Sequence, residues 1–276
     1  MTRTRLVVVG HGPSAYRLID TLLNRGFDGT ITVLGEEPRP AYDRVALTSY
    51  LTGASAEELT YPVPEGVTLR LGDPVVAVDR AGRRALTAGG HAEPYDVLVL
   101  ATGSRPFVPP VPGHDLPGCF VYRTIEDLDA IRAAAATATA GVVVGGGLLG
   151  LEAADALRRL GLRTHVVEMS PWLMPRQVDE GGGAMLKARI EALGLAVHTG
   201  AGVQAVEAGP DGRAARLVTT GGEVIDAQLV VFSAGVRPRD ELARAAGLAV
   251  GERGGIVVDD GMRTEDPAIY AIGECA

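Results

Sequence analysis

Two glycine-rich turns constrain this chain more than any other feature. Gly10-His11-Gly12-Pro13-Ser14-Ala15 follows the apolar run Leu6 to Val9, and Gly145-Gly146-Gly147-Leu148-Leu149-Gly150 follows Gly141 to Val144. Each turn opens a stretch of helical period, Tyr16 to Asn24 and Leu148 to Leu160, which leads to a second apolar run, Thr30 to Leu34 and Thr164 to Val167. Short Val- and Leu-rich runs bounded by Gly and Pro, alternating with helical stretches, are the pattern of parallel strands and crossover helices. The chain is therefore α/β. A βαβ unit that recurs 145 − 10 = 135 residues later means two folds of one kind.

A turn of this composition has a physical purpose. Glycine is needed where the strand-to-helix turn is tight and where the backbone must approach a pyrophosphate, whose charge rests on the free amides of the helix N-terminus. The first turn is a GxGxxA, and Glu36 ends the next strand 36 − 10 = 26 residues on, where a carboxylate can accept from a ribose hydroxyl. A glycine-rich turn beside a surface glutamate is the plainer alternative. The second turn is a full GxGxxG, with Glu168 following 168 − 145 = 23 residues later. An acidic residue there accepts from a free 2′-hydroxyl and repels a 2′-phosphate, and Met169-Ser170-Pro171 offers no arginine to accommodate one. The spacing thus favours NADH over NADPH. Two such folds suggest two dinucleotides, a flavin that stays and a nicotinamide that comes and goes.

Composition removes other classes. The 276 residues carry 34 acidic against 26 basic groups, a net charge of −8, with no dense Lys/Arg run, so a phosphate backbone is not an expected partner. Two cysteines and five histidines without ligand spacing encode no metal centre. The N-terminus runs straight into a four-residue apolar strand, too short for a signal core or a span, and the reading is cytoplasmic with no membrane association. Between the turns, Arg105 to Gly118 carries five prolines and reads as an interdomain link with a boundary near Pro112. Thr124 and Asp127 predict a capping box, and Ala133 to Ala140 predicts surface helix.

Further motifs carry a resemblance. Tyr95 to Ser104 resembles the ATG strand, and Ile269 to Glu274 the second FAD motif, of the two-dinucleotide-binding-domain flavoproteins related to glutathione reductase and ferredoxin reductases. That motif usually ends Gly-Asp and here ends Gly273-Glu274. Ala41 to Leu47, Phe120 to Leu128, Gly145 to Ala154 and Gly235 to Asp240 are similar to the N-terminal flavin module of assimilatory NAD(P)H nitrite reductase large subunits. The resemblance implies two Rossmann-like three-layer domains of the glutathione-reductase type, the NAD domain inserted into the FAD domain. Residues 1–112 would begin the FAD domain, 113–240 form the NAD(H) domain, and 241–276 return to the first, cut short.

It also implies roles. Gly10, Gly12, Pro13 and Ser14 would meet the FAD pyrophosphate and Glu36 its ribose, Val75 would approach the adenine, Ala101 and Thr102 would flank the isoalloxazine, and Glu274 would hold the ribityl chain. Arg44 would bias the flavin electrostatically, Arg123 would reach the cofactor from the crossover, and Ser49 stands where many ferredoxin reductases carry a lysine. Gly145, Gly147, Leu148 and Leu149 would take the NADH pyrophosphate, Glu168 its ribose and Glu152 its carboxamide, with Gly235 also at the cofactor. Trp172 and Met174 are candidates for the adenine end, hydrophobic anchoring being the plainer reading.

Disulfide reductases of this fold need a thiolate at the flavin, and Arg44 to Leu51 holds no cysteine, so a dithiol relay is excluded. Cys119 and Cys275 read as small packing residues. Hydride would pass from NADH to FAD and electrons onward singly, in the family to iron–sulfur and sirohaem domains. The alternatives are a stand-alone NADH-dependent ferredoxin or rubredoxin reductase, and a non-catalytic nucleotide-binding module. The family often dimerises through a later domain, whereas this chain stops two residues after Glu274. It therefore reads as truncated, with weak FAD retention and little nitrite reduction expected of it alone.

Overall fold

A computed structural model describes residues 3–276. The chain divides into two units: the residues up to Asp43 with Leu59–Arg105 and Arg237–Ala276, and Arg44–Glu58 with Pro106–Val236.

The first unit is built on five parallel strands in the order Ile269–Ala271, Val97–Leu100, Thr4–Val9, Gly29–Leu34, Val67–Arg70. The central strand reads as unbroken Leu and Val because both of its faces are covered. Leu6 and Val8 pack with Ala15 and Ile19 of the helix Pro13–Asn24. Val7 and Val9 pack on the opposite face with Leu98, Leu100 and Ala85. Ala85 belongs to an antiparallel sheet of Val75–Asp79, Arg84–Thr87 and Ala92–Pro94, which forms the third layer. The return segment closes the sheet, with Ile269, Tyr270 and Ala271 in register with Leu98, Val99 and Leu100.

The second unit repeats the plan. Its parallel sheet runs Ala196–Thr199, Arg163–Glu168, Ala140–Val144, Leu229–Phe232, Cys119–Val121. The helix Leu148–Arg159 buries Ala153, Ala156 and Leu157, and a Cβ at Gly141 of the central strand would lie 3.1 Å from Leu157 Cδ1. Val142, Val144, Val230 and Phe232 face Val206, Leu217 and Ile225 of the antiparallel meander Val203–Ala208, Ala214–Thr219, Val224–Asp226. Both expected three-layer folds are present, and the second interrupts the first in sequence.

Several details differ from the sequence reading. The first helix begins at Pro13 rather than Tyr16, since proline at the first helical position has its φ preset and no amide to leave unpaired. The alanine run does not stay helical: the helix Ile125–Ala135 ends, and Ala140 opens the central strand. Burial of that strand outweighs alanine's propensity, and Gln228 Oε1 accepts from the amides of Thr139 and Ala140 at 3.1 Å. The expected capping box does form, Thr124 Oγ1 accepting from Asp127 N and Asp127 Oδ2 from Thr124 N.

The proline-rich stretch is not a free link. Pro112, Pro117 and Gly118 accept from the amides of Val206, Ala214 and Val230 at 2.8 to 2.9 Å, so the division falls at Arg105/Pro106 rather than near Pro112. Residues 44–58, counted with the FAD domain on sequence grounds, group with the second unit instead. There Tyr50 of the short helix Leu47–Leu51 donates its hydroxyl to Asp129 Oδ1 (2.6 Å), while Arg132 lies over its ring and donates to its carbonyl. The excursion leaves and rejoins the first unit on one short ladder, Tyr42 bridging Thr60 and Asp43 N donating to Leu59 O.

Candidate cofactor sites

In each unit the glycine turn is built from the same two opposed requirements. Gly10 has φ +99°, its amide donates to Leu34 O (2.8 Å), and a Cβ there would lie 2.2 Å from Ala101 O. Gly145 has φ +117°, its amide donates to Val167 O (2.8 Å), and a Cβ would lie 2.3 Å from Ser233 O. The first glycine is thus pressed against the end of the neighbouring parallel strand. The second glycine is the opposite case. Gly12 and Gly147 cap their helices in extended conformation, no side chain caps either helix, and a Cβ at either position would meet nothing within 4 Å. Open space over uncapped helix amides is what a pyrophosphate requires, so both cradles fit a dinucleotide. The third position differs: a Cβ at Gly150 would strike Gly145 O at 2.0 Å, whereas Ala15 is accommodated.

Around the first cradle, Pro13 starts the helix and Ser14 Oγ lies where a Cβ on Gly273 would approach to 2.8 Å, which brings the second FAD motif against the first. Glu274 Oε2 accepts from the buried Ser104 hydroxyl (2.9 Å). Ala101 follows the strand Val97–Leu100, and Thr102 donates its hydroxyl to Arg239 O (2.6 Å). Val75 is half-buried on the antiparallel sheet, against the core that includes Val9 and Leu34. Glu36 pairs with Arg239, whose amide is also held by Gly103 O. His11 Nδ1 accepts from Ala41 N (3.0 Å), and burial pushes its pKa below the usual histidine value. Arg239 and His11 both lie in motifs quoted from the sequence, yet glycine spacing says nothing about either side chain.

Around the second cradle, Glu168 Oε2 accepts from Gly146 N (2.6 Å) and Oε1 from Ser170 N (2.7 Å), which ties the strand end to the glycine turn. Leu148 and Leu149 are exposed at the helix start. Gly235 has φ +104° and open space at its Cα, and its carbonyl accepts from Phe107 N. Trp172 packs on Gly183, where a Cβ would meet its side chain at 2.6 Å, and donates to Val178 O, so anchoring accounts for it. Met174 N donates to Gly146 O. Glu152 Oε2 accepts from the Thr48 hydroxyl (3.1 Å), a partner with no sequence signal of its own.

Arg44, Ser49 and Arg123, expected beside the flavin, belong to the second unit, where Arg44 Nη1 donates to Arg123 O (3.0 Å) and Ser49 is exposed. Cys275 is buried with its thiol toward Leu100 O, and burial pushes the Cys119 thiol up to about 11, so Cys119 is no ready thiolate. Among the described residues no group of three or more His, Cys, Asp or Glu could hold a metal, and no helix is long and apolar enough to cross a membrane.

Comparison with known proteins agrees with this geometry. The chain is 51% identical over its whole length to the nitrite reductase [NAD(P)H] large subunit of Klebsiella oxytoca, of which it covers 29%. It is 34% identical to the rubredoxin-NAD(+) reductase of Ectopseudomonas oleovorans, covering 98% of this chain and 71% of that one. A ferredoxin reductase structure from Rhodopseudomonas palustris superposes with TM-score 0.92 at 32% identity, covering 99% of this chain and 68% of the other. The chain spans about a third of the length of the nitrite reductases it matches. Residues 4–276 match the pyridine nucleotide-disulphide oxidoreductase family, and the chain belongs to that family of FAD-dependent oxidoreductases.

Proposed function

We propose that this chain is the electron-input module of a nitrite reductase large subunit, with FAD in the first cradle and NADH in the second. The observation that carries the reading is the duplicated cradle, one per unit, each with a close-packed first glycine, an open second glycine and a glutamate at the end of the next strand. Identity of 51% along the whole chain supports the nitrite reductase type. The electron acceptors would be iron–sulfur and sirohaem centres of the larger protein.

When bound, the flavin supplies hydride acceptance from the nicotinamide and release of electrons one at a time. The chain's residues need only bind and orient. Helix amides beyond Gly12 and Gly147 would hold the two pyrophosphates, Glu36 and Glu168 the riboses, and Glu274 the ribityl chain. Glu152 would orient the nicotinamide. Positioning of this kind lowers the barrier without an acid or base from the protein. Selectivity for NADH would follow from Glu168, whose charge opposes a 2′-phosphate.

A stand-alone ferredoxin or rubredoxin reductase is the second reading, favoured by the match to 71% of the rubredoxin-NAD(+) reductase. An anaerobic absorbance titration tests the common core: the purified protein is yellow and bleaches on addition of NADH. A colourless protein that takes up no FAD, or a flavin that NADH does not reduce, refutes it. An acceptor assay with rubredoxin, ferredoxin and the nitrite-reducing domains then separates the two readings.

A further inference from the structure

Tyr122, Thr48 and Glu152 form a chain of hydrogen bonds within the second unit. The Tyr122 phenol, 2% exposed as a residue, donates to Thr48 Oγ1 at 3.2 Å, and Thr48 donates to Glu152 Oε2 at 3.1 Å. Chemistry fixes the direction. An ionised carboxylate only accepts, and the threonine hydroxyl has one proton; with that proton directed to Glu152, Tyr122 must supply its own. Burial pushes the Tyr122 phenol up to about 12, so it stays a donor at neutral pH. The relay engages one oxygen of Glu152 and leaves Oε1 without a hydrogen-bond partner among the described residues.

Glu152 also stands at a useful height. It lies five residues beyond the Gly147 cap (152 − 147 = 5), about 7.5 Å along the helix axis at 1.5 Å per residue. That is the scale of the ribose that separates a pyrophosphate from its base. A carboxylate held at one oxygen by a directed relay, with the other oxygen unused, is a fixed acceptor awaiting an N–H donor.

We infer that Tyr122 and Thr48 are positioning residues, which orient Glu152 to accept from the carboxamide NH2 of the nicotinamide. The inference rests on the proposal that NADH occupies the second cradle. It also gives the excursion 44–58 a purpose, since Thr48 enters the second unit on that segment.

The test is equilibrium binding, by calorimetry, of NAD+ and of 3-acetylpyridine adenine dinucleotide, in which a methyl replaces the carboxamide NH2. The wild-type chain is expected to prefer NAD+. Thr48→Val should weaken NAD+ about tenfold, the worth of one hydrogen bond involving a charged group, and the analogue less than twofold. Thr48→Ser should restore the preference. Tyr122→Phe, which leaves the Thr48 to Glu152 bond in place, should move NAD+ binding about threefold in the same direction. A folded Thr48→Val that binds both dinucleotides equally weakened, or a Tyr122→Phe with unaltered preference, overturns the relay. A wild type that binds both dinucleotides equally shows that Glu152 meets no carboxamide, and also overturns it. A wild type that binds neither removes the NADH site itself, and the inference with it.

Discussion

The duplicated cradle predicts that two glycines two residues apart fail in opposite ways when each is replaced by alanine. At Gly145 the methyl would lie 2.3 Å from Ser233 O, and the backbone sits at φ +117°. An L-residue held in such a region costs about 1 to 3 kcal/mol. Relieving the overlap means moving backbone, since Ser233 is tied to Val144 O by its amide (2.8 Å), and overpacking of that kind costs roughly 1 to 3 kcal/mol more. A total of about 4 kcal/mol lowers Tm by roughly 8 to 16 °C in a domain of this size. Gly147 has φ −81° and nothing within 4 Å of a would-be Cβ. Gly147→Ala should therefore cost no more than about 1 kcal/mol as a changed N-cap, a Tm shift of roughly 4 °C or less. Its methyl would instead occupy the space kept for the pyrophosphate, and NAD+ affinity should fall more than tenfold. Scanning calorimetry and an NAD+ titration on both variants decide the matter. If Gly147→Ala melts as early as Gly145→Ala while binding NAD+ normally, or if Gly145→Ala is as stable as the parent, the cradle argument is wrong.

Two further outcomes follow from the site geometry. Glu168→Arg removes the acceptor for the Gly146 and Ser170 amides and, on the proposed placement of NADH, would reverse the charge at the 2′ position, so NADH efficiency should fall and the NADPH-to-NADH ratio of flavin bleaching rates should rise more than tenfold; an unaltered ratio refutes the assignment. His11 is kept neutral in the folded state by burial, against an opposing pull from Glu37, so the unfolded chain binds more protons below its ordinary pKa near 6.5. Its contribution to stability is then fully present above that pH and lost as pH falls below it. Urea midpoints measured at pH 7.5 and 5.5 should fall further for the parent than for His11→Asn, which keeps an acceptor without a titrating group. Equal falls would show that the bond from Ala41 N carries none of the pH dependence.

What could be read before the structure is what a local pattern encodes. Val142 to Val144 reads as a strand covered on both faces, and a GxGxxG that follows it reads as a turn into a helix, so both βαβ units and both cradles are legible from residues within 35 positions of one another, whereas the sheets they join pair strands far apart in sequence. The excursion 44–58 is not legible, because its helix Leu47–Leu51 is a single turn and a little more, too short for a period to show. Its placement is decided by Tyr50 with Asp129 and Arg132, partners about 80 residues away in sequence, whose side chains carry no spacing signal. The same holds for Pro112 and Pro117, which look like a linker by composition and are fixed by amides of the meander.

The distinction bears on where the two units specialise. The glycine turns are nearly interchangeable in construction, so they select a dinucleotide but do not say which. The two units differ in what surrounds the turns: Arg239 pairs with Glu36 in one, and in the other backbone amides donate to Glu168 and Thr48 to Glu152. A guanidinium pairs with the first carboxylate, whereas the second is fixed by the amide of Gly146 in the turn and that of Ser170 just beyond the strand. With NADH in the second cradle, as proposed, that site would set a carboxylate held by backbone amides rather than by a guanidinium at the position where NADH and NADPH differ. Electrostatic choice between NADH and NADPH would then rest on Glu168.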